Sequence, residues 1–528
     1  MKEVSRLRII KTASTVLAAI LLTLIFNPFL NSEPEIAESK ARICEYEDNS
    51  QKILSDNLAL FEPESMSSYF IGTSASSEKR YIAKIVSARA ETFTGSTRDD
   101  YSRPTNSYLP KGTVDYCYPQ KITDPESGKK YYLMAGGYRV YAKDSTVKLY
   151  KGTLPSKNSV KVSKITQSGN KLKLKFSLKF KAPFRVTLGK QEYKNPKTQE
   201  YQISTATFTY LDIKFLYSNK FSGKIELPKN SLFKKAKVLK SDGCYKLRLY
   251  LKKKGMFYGW DSYYNSSGEL VFSFLLPTSI YKDKTNSCGY SLKGTTIVVD
   301  AGHGGTDPGA LSYTGSAKYC EKYYTLLYAK YLRKELKKLG ARVVMTRTSD
   351  EYISLSKRRS IIRQSGADLA VSIHFNACER GSPSGYFMGY FYPFTKSAAS
   401  YLSKAVYKSN TLKRYNKGID WHYFNLSRES SCPVVLTENG FLDNYSDYSK
   451  LRKKEFCKKY VKALTKGIIN YFRSISVANP SKLVVITEKV EPKPQENSSS
   501  SSSSTVSSAG SSTVSSVGSS AVSKSQPG

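Results

Sequence analysis

Histidine is scarce in this 528-residue chain, which contains three, and one of them lies in a glycine-rich segment. His303 stands in IVVDAGHGGTDPGA (297–310), where the apolar run Ile297–Val299 predicts a β-strand that ends just before it. The glycines on either side of the imidazole give the backbone unusual freedom. Two interpretations follow from this pattern: a ligand presented at the edge of a sheet, or a tight turn.

Two further polar residues occur where an α/β fold would bring them to His303. Glu321 opens a long predicted helix, and His374 ends the predicted strand LAVSIH. Functional groups of open α/β sheets gather at the carboxyl ends of the strands, and both histidines satisfy this rule. Two histidines and a glutamate that leave one coordination position open are the usual ligands of a catalytic zinc ion. The pattern therefore predicts one zinc site formed by His303, Glu321 and His374.

A fourth group, Glu438, lies in VVLTENGFLDN (434–444), near the carboxyl end of another predicted strand. A carboxylate there would be placed to take a proton from an attacking water molecule. Zinc would lower the pKa of that water to roughly 7 and would polarise a scissile carbonyl. We therefore expect Glu438 to be catalytic; the alternative is that it orients one of the metal ligands.

The elements that must position these residues alternate between strand and helix from Thr295 onward. Apolar residues recur at helical spacing in YCEKYYTLLYAKYLRKELKKLG (319–340), and a glycine ends the pattern. The other predicted elements are strands at 341–347, 368–376 and 432–440 and helices at 354–366, 398–410 and 455–472. This alternation predicts an α/β domain over residues 295–473, with a mostly parallel sheet flanked by helices.

Four segments of this domain resemble the catalytic domain of the zinc-dependent N-acetylmuramoyl-L-alanine amidases, bacterial peptidoglycan hydrolases. They are DAGHGGTDPGA (300–310), EKYYTLLYAKYLRKELKKLGARVVMTR (321–347), ADLAVSIHFNA (367–377) and VVLTENGFLDN (434–444), in the family's order and spacing. The resemblance implies His303, Glu321 and His374 as zinc ligands and Glu438 as the catalytic glutamate. It also implies hydrolysis of the amide that joins the lactyl group of N-acetylmuramic acid to L-alanine.

The chain departs from the family's pattern in one helix. Family members usually carry an Ala-Asn pair before the strand of the second histidine, where this chain has Ile362-Arg363. We expect this position to affect packing and not the metal. Two thiols leave an alternative at the metal, because Cys320 and Cys378 lie close in sequence to presumed ligands and thiolate is a good zinc ligand.

Three other residues are candidates for contacts with a substrate. His422, in IDWHYFN, either lines a substrate groove together with Trp421 or lies in an exposed loop. Arg428 and Asn376 are candidates for binding a peptide carboxylate or backbone. The residues alone do not decide between these interpretations.

The segments before the α/β domain are rich in short β-prone runs. Residues 79–152 contain YIAKIVSARAETF and KKYYLMAGGYRVYAK, and they resemble bacterial SH3-like wall-binding modules without a signature residue. Residues 156–280 contain alternating strands such as KLKLKFSLKF, which predict a β-sandwich-like module for wall binding or a generic scaffold. Eight cysteines without short paired spacing predict no particular disulfide.

The two ends of the chain differ from its centre. Residues 1–30 combine a basic start with a short apolar stretch, which predicts a secretory signal or an uncleaved membrane anchor, and residues 31–78 form a polar spacer. The serine-rich tail, residues 474–528, is predicted to be disordered because it cannot form a core. The pattern predicts an extracellular, cell-wall-associated protein that contacts the membrane only through its amino-terminal segment.

The net charge of +40 requires an anionic environment. Export argues against nucleic acid, and we expect peptidoglycan as substrate and anionic cell-wall polymers as partners held by charge. Two alternatives to an amidase stay open at this stage. One is a zinc peptidase or carboxypeptidase that acts on stem peptides, and the other is a non-catalytic wall-binding protein with an amidase-like fold.

Overall fold

The structure is a computed structural model that describes most of the chain between residues 80 and 486. The described ranges are 80–94, 103–123, 128–189, 208–241, 243–286, 288–378, 383–422, 424–476 and 485–486. The predicted signal or anchor, the spacer and most of the predicted tail lie outside them. Within these ranges no helix combines the length and apolar character that crossing a membrane requires, and the seven described cysteines are free thiols.

Antiparallel pairing organises the strands between residues 80 and 152. The strands are β1 (Arg80–Ile85), β2 (Arg89–Thr94), β3 (Arg103–Pro110), β4 (Val114–Tyr116), β5 (Ile122–Thr123), β6 (Lys130–Met134), β7 (Tyr138–Tyr141) and β8 (Val147–Gly152). They form two sheets, with the orders β4-β1-β8 and β3-β2-β7-β6-β5. Ala83, Leu109 and Val140 lie in the core between them. The predicted β-rich character of this segment is confirmed.

Two further sheets form a sandwich from residue 158 to residue 275. The strands are β9 (Asn158–Ser168), β10 (Lys171–Leu178), β11 (Phe184–Leu188), β12 (Tyr210–Phe215), β13 (Ser218–Ser222), β14 (Phe233–Ser241), β15 (Cys244–Leu251), β16 (Trp260–Tyr264) and β17 (Leu270–Leu275). The sheet orders are β13-β9-β10-β17-β16 and β11-β12-β15-β14. In β10 the buried Leu172, Leu174 and Phe176 alternate with lysines, the period-two pattern of a strand with one face in a core.

A six-stranded mixed sheet flanked by helices follows, which confirms the α/β prediction. Its strands are β20 (Thr296–Ala301), β21 (Arg342–Met345), β22 (Leu369–Asn376), β23 (Tyr386–Tyr390), β24 (Arg414–Trp421) and β25 (Val434–Phe441), in the order β21-β20-β22-β25-β23-β24. Every neighbouring pair is parallel except β23 with β25. A small sheet beside it pairs β18 (Tyr281–Asp283) with β19 (Tyr290–Ser291) and β26 (Val485–Ile486).

Helices supply the remaining core of the α/β domain. They are α1 (Glu321–Lys338), α2 (Leu355–Ser365), α3 (Lys396–Lys408), α4 (Tyr445–Leu451) and α5 (Lys454–Ser476). Helix α2 ends at Gly366, which adopts the left-handed conformation that closes many helices. Helix α5 packs against α1 and α3. Ile362 on α2 is 1% exposed in the core, as expected for a position that affects packing.

A buried group of charges joins the amino-terminal β-strands to the α/β domain. We call Arg89, Glu91, Arg359, Arg363, Arg428 and Glu429 the ion cluster. Arg89 donates to Glu429 at 2.8 Å, and Glu91 accepts from Arg359 at 3.2 Å and from Arg428 at 3.0 Å. Arg363 contacts the other oxygen of Glu429 at 3.3 Å. Each charge therefore has an oppositely charged neighbour, which offsets the cost of removing it from water.

The arginines of the ion cluster lower the pKa of Glu429. Burial alone raises the pKa of this carboxyl group, but Arg89, Arg363 and Arg359 outweigh it and lower the pKa to about 2. The ordinary value is 4.5. The stability that Glu429 contributes is therefore fully present above pH 4.5 and is lost as the pH falls towards 2.

We predict that Glu429→Gln destabilises the protein by about 3 kcal/mol at pH 7, because it leaves buried guanidinium groups without their carboxylate. Urea denaturation at pH 7 measures this. The matched control is Glu335→Gln, which removes a pair with the exposed Lys338 and should cost about 1 kcal/mol or less. Equal losses of unfolding free energy in the two variants would contradict the assignment. It would also be contradicted if the difference in unfolding free energy between Glu429→Gln and the wild type did not become smaller as the pH falls towards 2.

Candidate metal centre

The carboxylate of Glu321 lies between the two imidazoles that the sequence singles out. Its Oε2 is 3.0 Å from Nε2 of His303, and its Oε1 is 3.0 Å from Nδ1 of His374. One ligand atom from each of the three residues fits within 4.8 Å of the others. Among the described residues, this is the one group of three or more such side chains close enough to hold a metal ion. The donor set fits zinc, which prefers imidazole and carboxylate ligands in sites with an open position.

Glycines allow these side chains to approach one another. A Cβ atom on Gly302 would lie 2.3 Å from the ring of His374, and one on Gly309 would lie 2.5 Å from Oε2 of Glu321. Real Cβ atoms do not approach so closely, so a larger residue at either position would displace His374 or Glu321. His303 itself has φ 55°, a left-handed conformation that is uncommon for residues other than glycine.

Two buried arginines hold the backbone of the His303 segment. Arg358 on α2 donates to the carbonyl of His303 at 2.7 Å and to the carboxylate of Asp300 at 2.7 Å. Arg347 donates to the carbonyl of Gly302 and to that of Lys322 on α1, both at 2.8 Å. Arg347 therefore ties the segment that carries His303 to the helix turn that carries Glu321. These contacts stabilise a backbone conformation that is unfavourable by itself.

The second nitrogen of His303 also has a fixed partner. Nδ1 lies 2.8 Å from Oδ2 of Asp307, whose other oxygen accepts from the backbone of Gly309 at 3.1 Å. With an N–H group on Nδ1 that donates to Asp307, Nε2 would be the nitrogen that is left to bind a metal. Carboxylates in this position commonly fix the tautomer of a histidine ligand.

The pKa values of His303 and Glu321 reflect the contact between these two side chains. Burial lowers the pKa of His303, but Glu321 and Asp307 outweigh it and raise that pKa well above its ordinary value. Burial raises the pKa of Glu321, whereas the two histidines lower it more strongly, so that this carboxyl group is ionised. A buried, ionised carboxylate between two imidazoles is a favourable environment for a cation.

Glu438 lies on the strand next to His374. The two residues are register partners in the parallel pair β22–β25, and neighbouring strands lie about 4.8 Å apart. Glu438 is 8% exposed. On its other side it is paired with Phe387 of β23. The structure therefore places the predicted catalytic carboxylate on the strand beside His374, one of the three predicted ligands.

Aromatic side chains extend from Glu438 across the neighbouring strands. The ring of His422 stacks between Phe387 and Phe424, with centroid distances of 4.8 and 4.7 Å. Its Nε2 lies 3.5 Å from the carboxylate of Asp420. Because partners in an antiparallel pair share one face of a sheet, Phe387 and the stack lie on the side of Glu438. This geometry favours the groove interpretation of His422 over the exposed-loop interpretation.

The remaining candidates are not part of the three-residue group. Arg428 is 7% exposed and belongs to the ion cluster, where its guanidinium contacts Glu91. The side chain of Asn376 accepts from the backbone of Ala377 at 2.9 Å. Cys320 is fully buried, and Cys378 is exposed and donates its backbone N–H to Asp443. Neither cysteine belongs to the metal-ligand group.

Sequence reasoning missed several residues that support the site. Asp307, Arg347 and Arg358 were not singled out, although Asp307 lies four residues from His303 in the same glycine-rich segment. That spacing was an available signal. The two arginines gave none, because they come from a strand end and a helix that contact residues 301–303 only in the folded chain. Strands β23 and β24, which carry the aromatic stack, were missed as well.

Sequence comparisons relate part of this chain to known amidases. Residues 297–470 match the Amidase_3 family, described as N-acetylmuramoyl-L-alanine amidase. A probable cell wall amidase LytH from Staphylococcus epidermidis is 38% identical over 183 residues, which are 35% of this chain and 60% of that protein. The LytH protein of Staphylococcus aureus is 30% identical over 292 residues, which are 54% of this chain and 97% of that protein.

Solved structures show a similarity over the same third of the chain. The catalytic domain of CwlV, an amidase from Bacillus (Paenibacillus) polymyxa, is 29% identical and has a TM-score of 0.32, with 34% of this chain and 97% of that chain covered. An N-acetylmuramoyl-L-alanine amidase from Clostridium difficile 630 is 32% identical and has a TM-score of 0.32 with the same coverage.

We predict that Asp307→Asn weakens zinc binding by about 10- to 100-fold, because the amide no longer fixes the tautomer of His303 as a carboxylate does. Competition with a chromophoric chelator measures the affinity. Asp350→Asn is the control, since Asp350 lies in the same region but contacts Gly305 and Lys322 instead of a ligand. If both variants bind zinc like the wild type, the proposed role of Asp307 is wrong.

We predict that Arg358→Met weakens zinc binding by about tenfold, since the carbonyl of His303 loses its donor and the ligand segment relaxes. Arg359→Met is a matched control on the next residue, because Arg359 contacts Glu91 in the ion cluster and not the ligand segment. Both variants are measured by zinc titration under conditions where circular dichroism shows them folded. Equal zinc affinities for the two would contradict the positioning role of Arg358.

Proposed function

The chain belongs to the N-acetylmuramoyl-L-alanine amidase family, and on this basis we propose that it hydrolyses the amide between N-acetylmuramic acid and the L-alanine of the stem peptide in peptidoglycan. The observation that carries the proposal is the convergence of His303, Glu321 and His374 within 4.8 Å, beside Glu438 on the next strand. The match to the S. epidermidis relative covers 60% of that protein's length. The activity and the substrate of the chain as a whole are therefore proposals.

The three clustered residues would hold one zinc ion. Zinc supplies Lewis acidity, which polarises the scissile carbonyl and acidifies water. Glu321 contributes a negative charge at the centre of the site, and Asp307 and Arg358 keep His303 in the orientation that binding needs. The protein's part is thus to preorganise the ligands so that little rearrangement is needed when substrate binds.

Glu438 is the proposed catalytic residue. Its carboxylate would accept a proton from the attacking water and would then deliver that proton to the nitrogen of L-alanine as the amide bond breaks. This transfer leaves a free lactyl carboxylate on the glycan and a free amino group on the peptide. A single carboxylate can serve as base and then as acid because it regains its charge when it gives up the proton.

The aromatic stack of Phe387, His422 and Phe424 would form one side of the substrate site. Phe387 and Phe424 cover both faces of the His422 ring, so that only its edge is available to a ligand. Asp420 is near one nitrogen of that edge. We propose that His422 hydrogen-bonds the substrate beside Glu438, where the groove meets the scissile amide.

The proposed location is the cell wall outside the membrane. Residues 1–30 would direct export or anchor the chain, and the net charge of +40 would hold it to anionic wall polymers with a strength that falls as salt rises. The names of the LytH relatives, which call them cell wall amidases, support the same location. Peptidoglycan is the proposed partner and substrate, and nucleic acid is not one.

We predict that the full-length protein loaded with zinc releases stem peptides that begin with L-alanine, and that Glu438→Gln lowers this rate by about 100-fold or more because the proton acceptor is lost. Mass spectrometry identifies the products, and metal analysis checks that zinc stays bound. Glu455→Gln, at an exposed position on α5, is the control and should retain the wild-type rate.

Other products would overturn the proposal in defined ways. Cleavage within the stem peptide would identify a peptidase. Binding to wall fragments with no cleavage by the zinc-loaded protein would identify a non-catalytic binding protein. A Glu438→Gln variant with the wild-type rate would show that another group moves the proton.

A further inference from the structure

Six lysines gather at one end of the β14–β15 pair in the sandwich. This lysine cluster consists of Lys229, Lys234, Lys235, Lys252, Lys253 and Lys254, all of which are exposed. The antiparallel register brings the start of β14 beside the end of β15, with Phe233 opposite Leu251. The backbone N–H of Lys252 donates to Leu232 at 2.8 Å, which extends the pairing into the loop. The two runs of lysines, about 18 residues apart in sequence, therefore form one surface.

The charges of this surface are not neutralised within the described part of the chain. None of the six lysines forms a salt bridge there. Of the carboxylates nearest in sequence that the structure describes, Glu226 pairs with Lys224 at 2.6 Å and Asp261 lies 3.8 Å from Arg89. Six positive charges on one hairpin end repel one another, and an anionic ligand would relieve this repulsion.

We propose that the lysine cluster is a binding site for a polymer of repeated phosphate groups outside the cell. This inference rests on the proposed location in the cell wall, but not on the proposed catalytic chemistry. Lysine ammonium groups are mobile point charges, which suit a flexible chain of phosphates better than one shaped anion. Strand β14 is the last strand of its sheet, so its lysines border an open edge along which a polymer can lie.

The residues of this surface favour a phosphate polymer over two other polyanions, anionic lipid and single-stranded nucleic acid. A surface that binds anionic lipid combines basic residues with apolar side chains that insert into the bilayer. On β14 the exposed large apolar side chain is Val238, which is 39% exposed and lies outside the cluster. Single-stranded nucleic acid is held by aromatic rings between the basic groups. The one aromatic residue next to a cluster lysine in sequence is Phe233, which is 1% exposed and therefore not available for stacking.

The test measures binding of the full-length protein to immobilised poly(glycerol phosphate). One variant replaces Lys234, Lys235, Lys252 and Lys253 with glutamine. The matched control replaces Lys458, Lys459, Lys462 and Lys466, four exposed lysines of α5, in the same way. Both variants lose four positive charges from a net charge of +40, so total charge cannot explain a difference between them.

We expect the cluster variant to bind the polymer about tenfold or more weakly than the control variant. The slope of log affinity against log salt concentration should be smaller by roughly three for the cluster variant than for the control variant. Each neutralised phosphate of a flexible polyanion contributes about 0.7 to this slope, and the cluster variant loses four lysines. Hydrolysis of a soluble muropeptide should be the same in both variants. This second readout reports the proposed function separately, because a catalytically inactive chain would still bind the polymer.

Three results would overturn the inference. Equal weakening in the two variants would show that overall charge, and not this surface, holds the polymer. Unchanged binding in the cluster variant would show that the polymer binds elsewhere. Cluster-dependent binding to phosphatidylglycerol vesicles without binding to the polymer would identify a lipid surface as the ligand.

Discussion

The contact of one carboxylate with two imidazoles is the interaction on which the rest of the α/β domain depends. Glu321 reaches both His303 and His374 at 3.0 Å, although the three residues come from a loop, a helix start and a strand. This arrangement requires close packing of backbone and side chain, which explains the glycines at positions 302 and 309. It also requires the left-handed backbone at His303, which local preferences alone do not favour.

Helix α2 supports the backbone of His303 and also contacts the amino-terminal strands. Arg358 and Arg359 are consecutive on α2, yet the first contacts the His303 carbonyl and the second contacts Glu91 on β2. The helix that holds the His303 segment is thus also the helix to which the amino-terminal strands attach. Aromatic side chains of the two parts are also in contact, since the ring centroids of Trp260 in the sandwich and Tyr392 in the α/β domain lie 5.3 Å apart. The β-rich segments are therefore packed supports of the α/β domain as well as candidates for wall contact.

The sequence predicts those parts of this structure that depend on short-range patterns. Helical spacing locates α1 and α5, and apolar runs before polar residues locate β20, β22 and β25, so that the four main site residues follow from local signals together with the family resemblance. Strand β24 was missed because its sequence, RYNKGIDW, has no clean alternation, and its register with β23 shifts irregularly. The ion cluster could not be predicted, since Arg89 and Glu429 lie 340 residues apart and neither charge has a distinctive local context.

The arginines around the His303 segment and the lysines on the surface of the sandwich have different surroundings. Arg347 and Arg358 are buried and donate to backbone carbonyls around residues 301–303. A planar guanidinium has several donors in fixed directions, so it can satisfy several buried acceptors at once. Lysines predominate on the exposed surfaces of the sandwich, where an ammonium group stays hydrated and costs little. Buried arginines such as Arg89 and Arg358 contact carboxylates, which offsets the cost of removing them from water. Exposed lysines such as those of the lysine cluster add to the net charge of +40 while they stay hydrated.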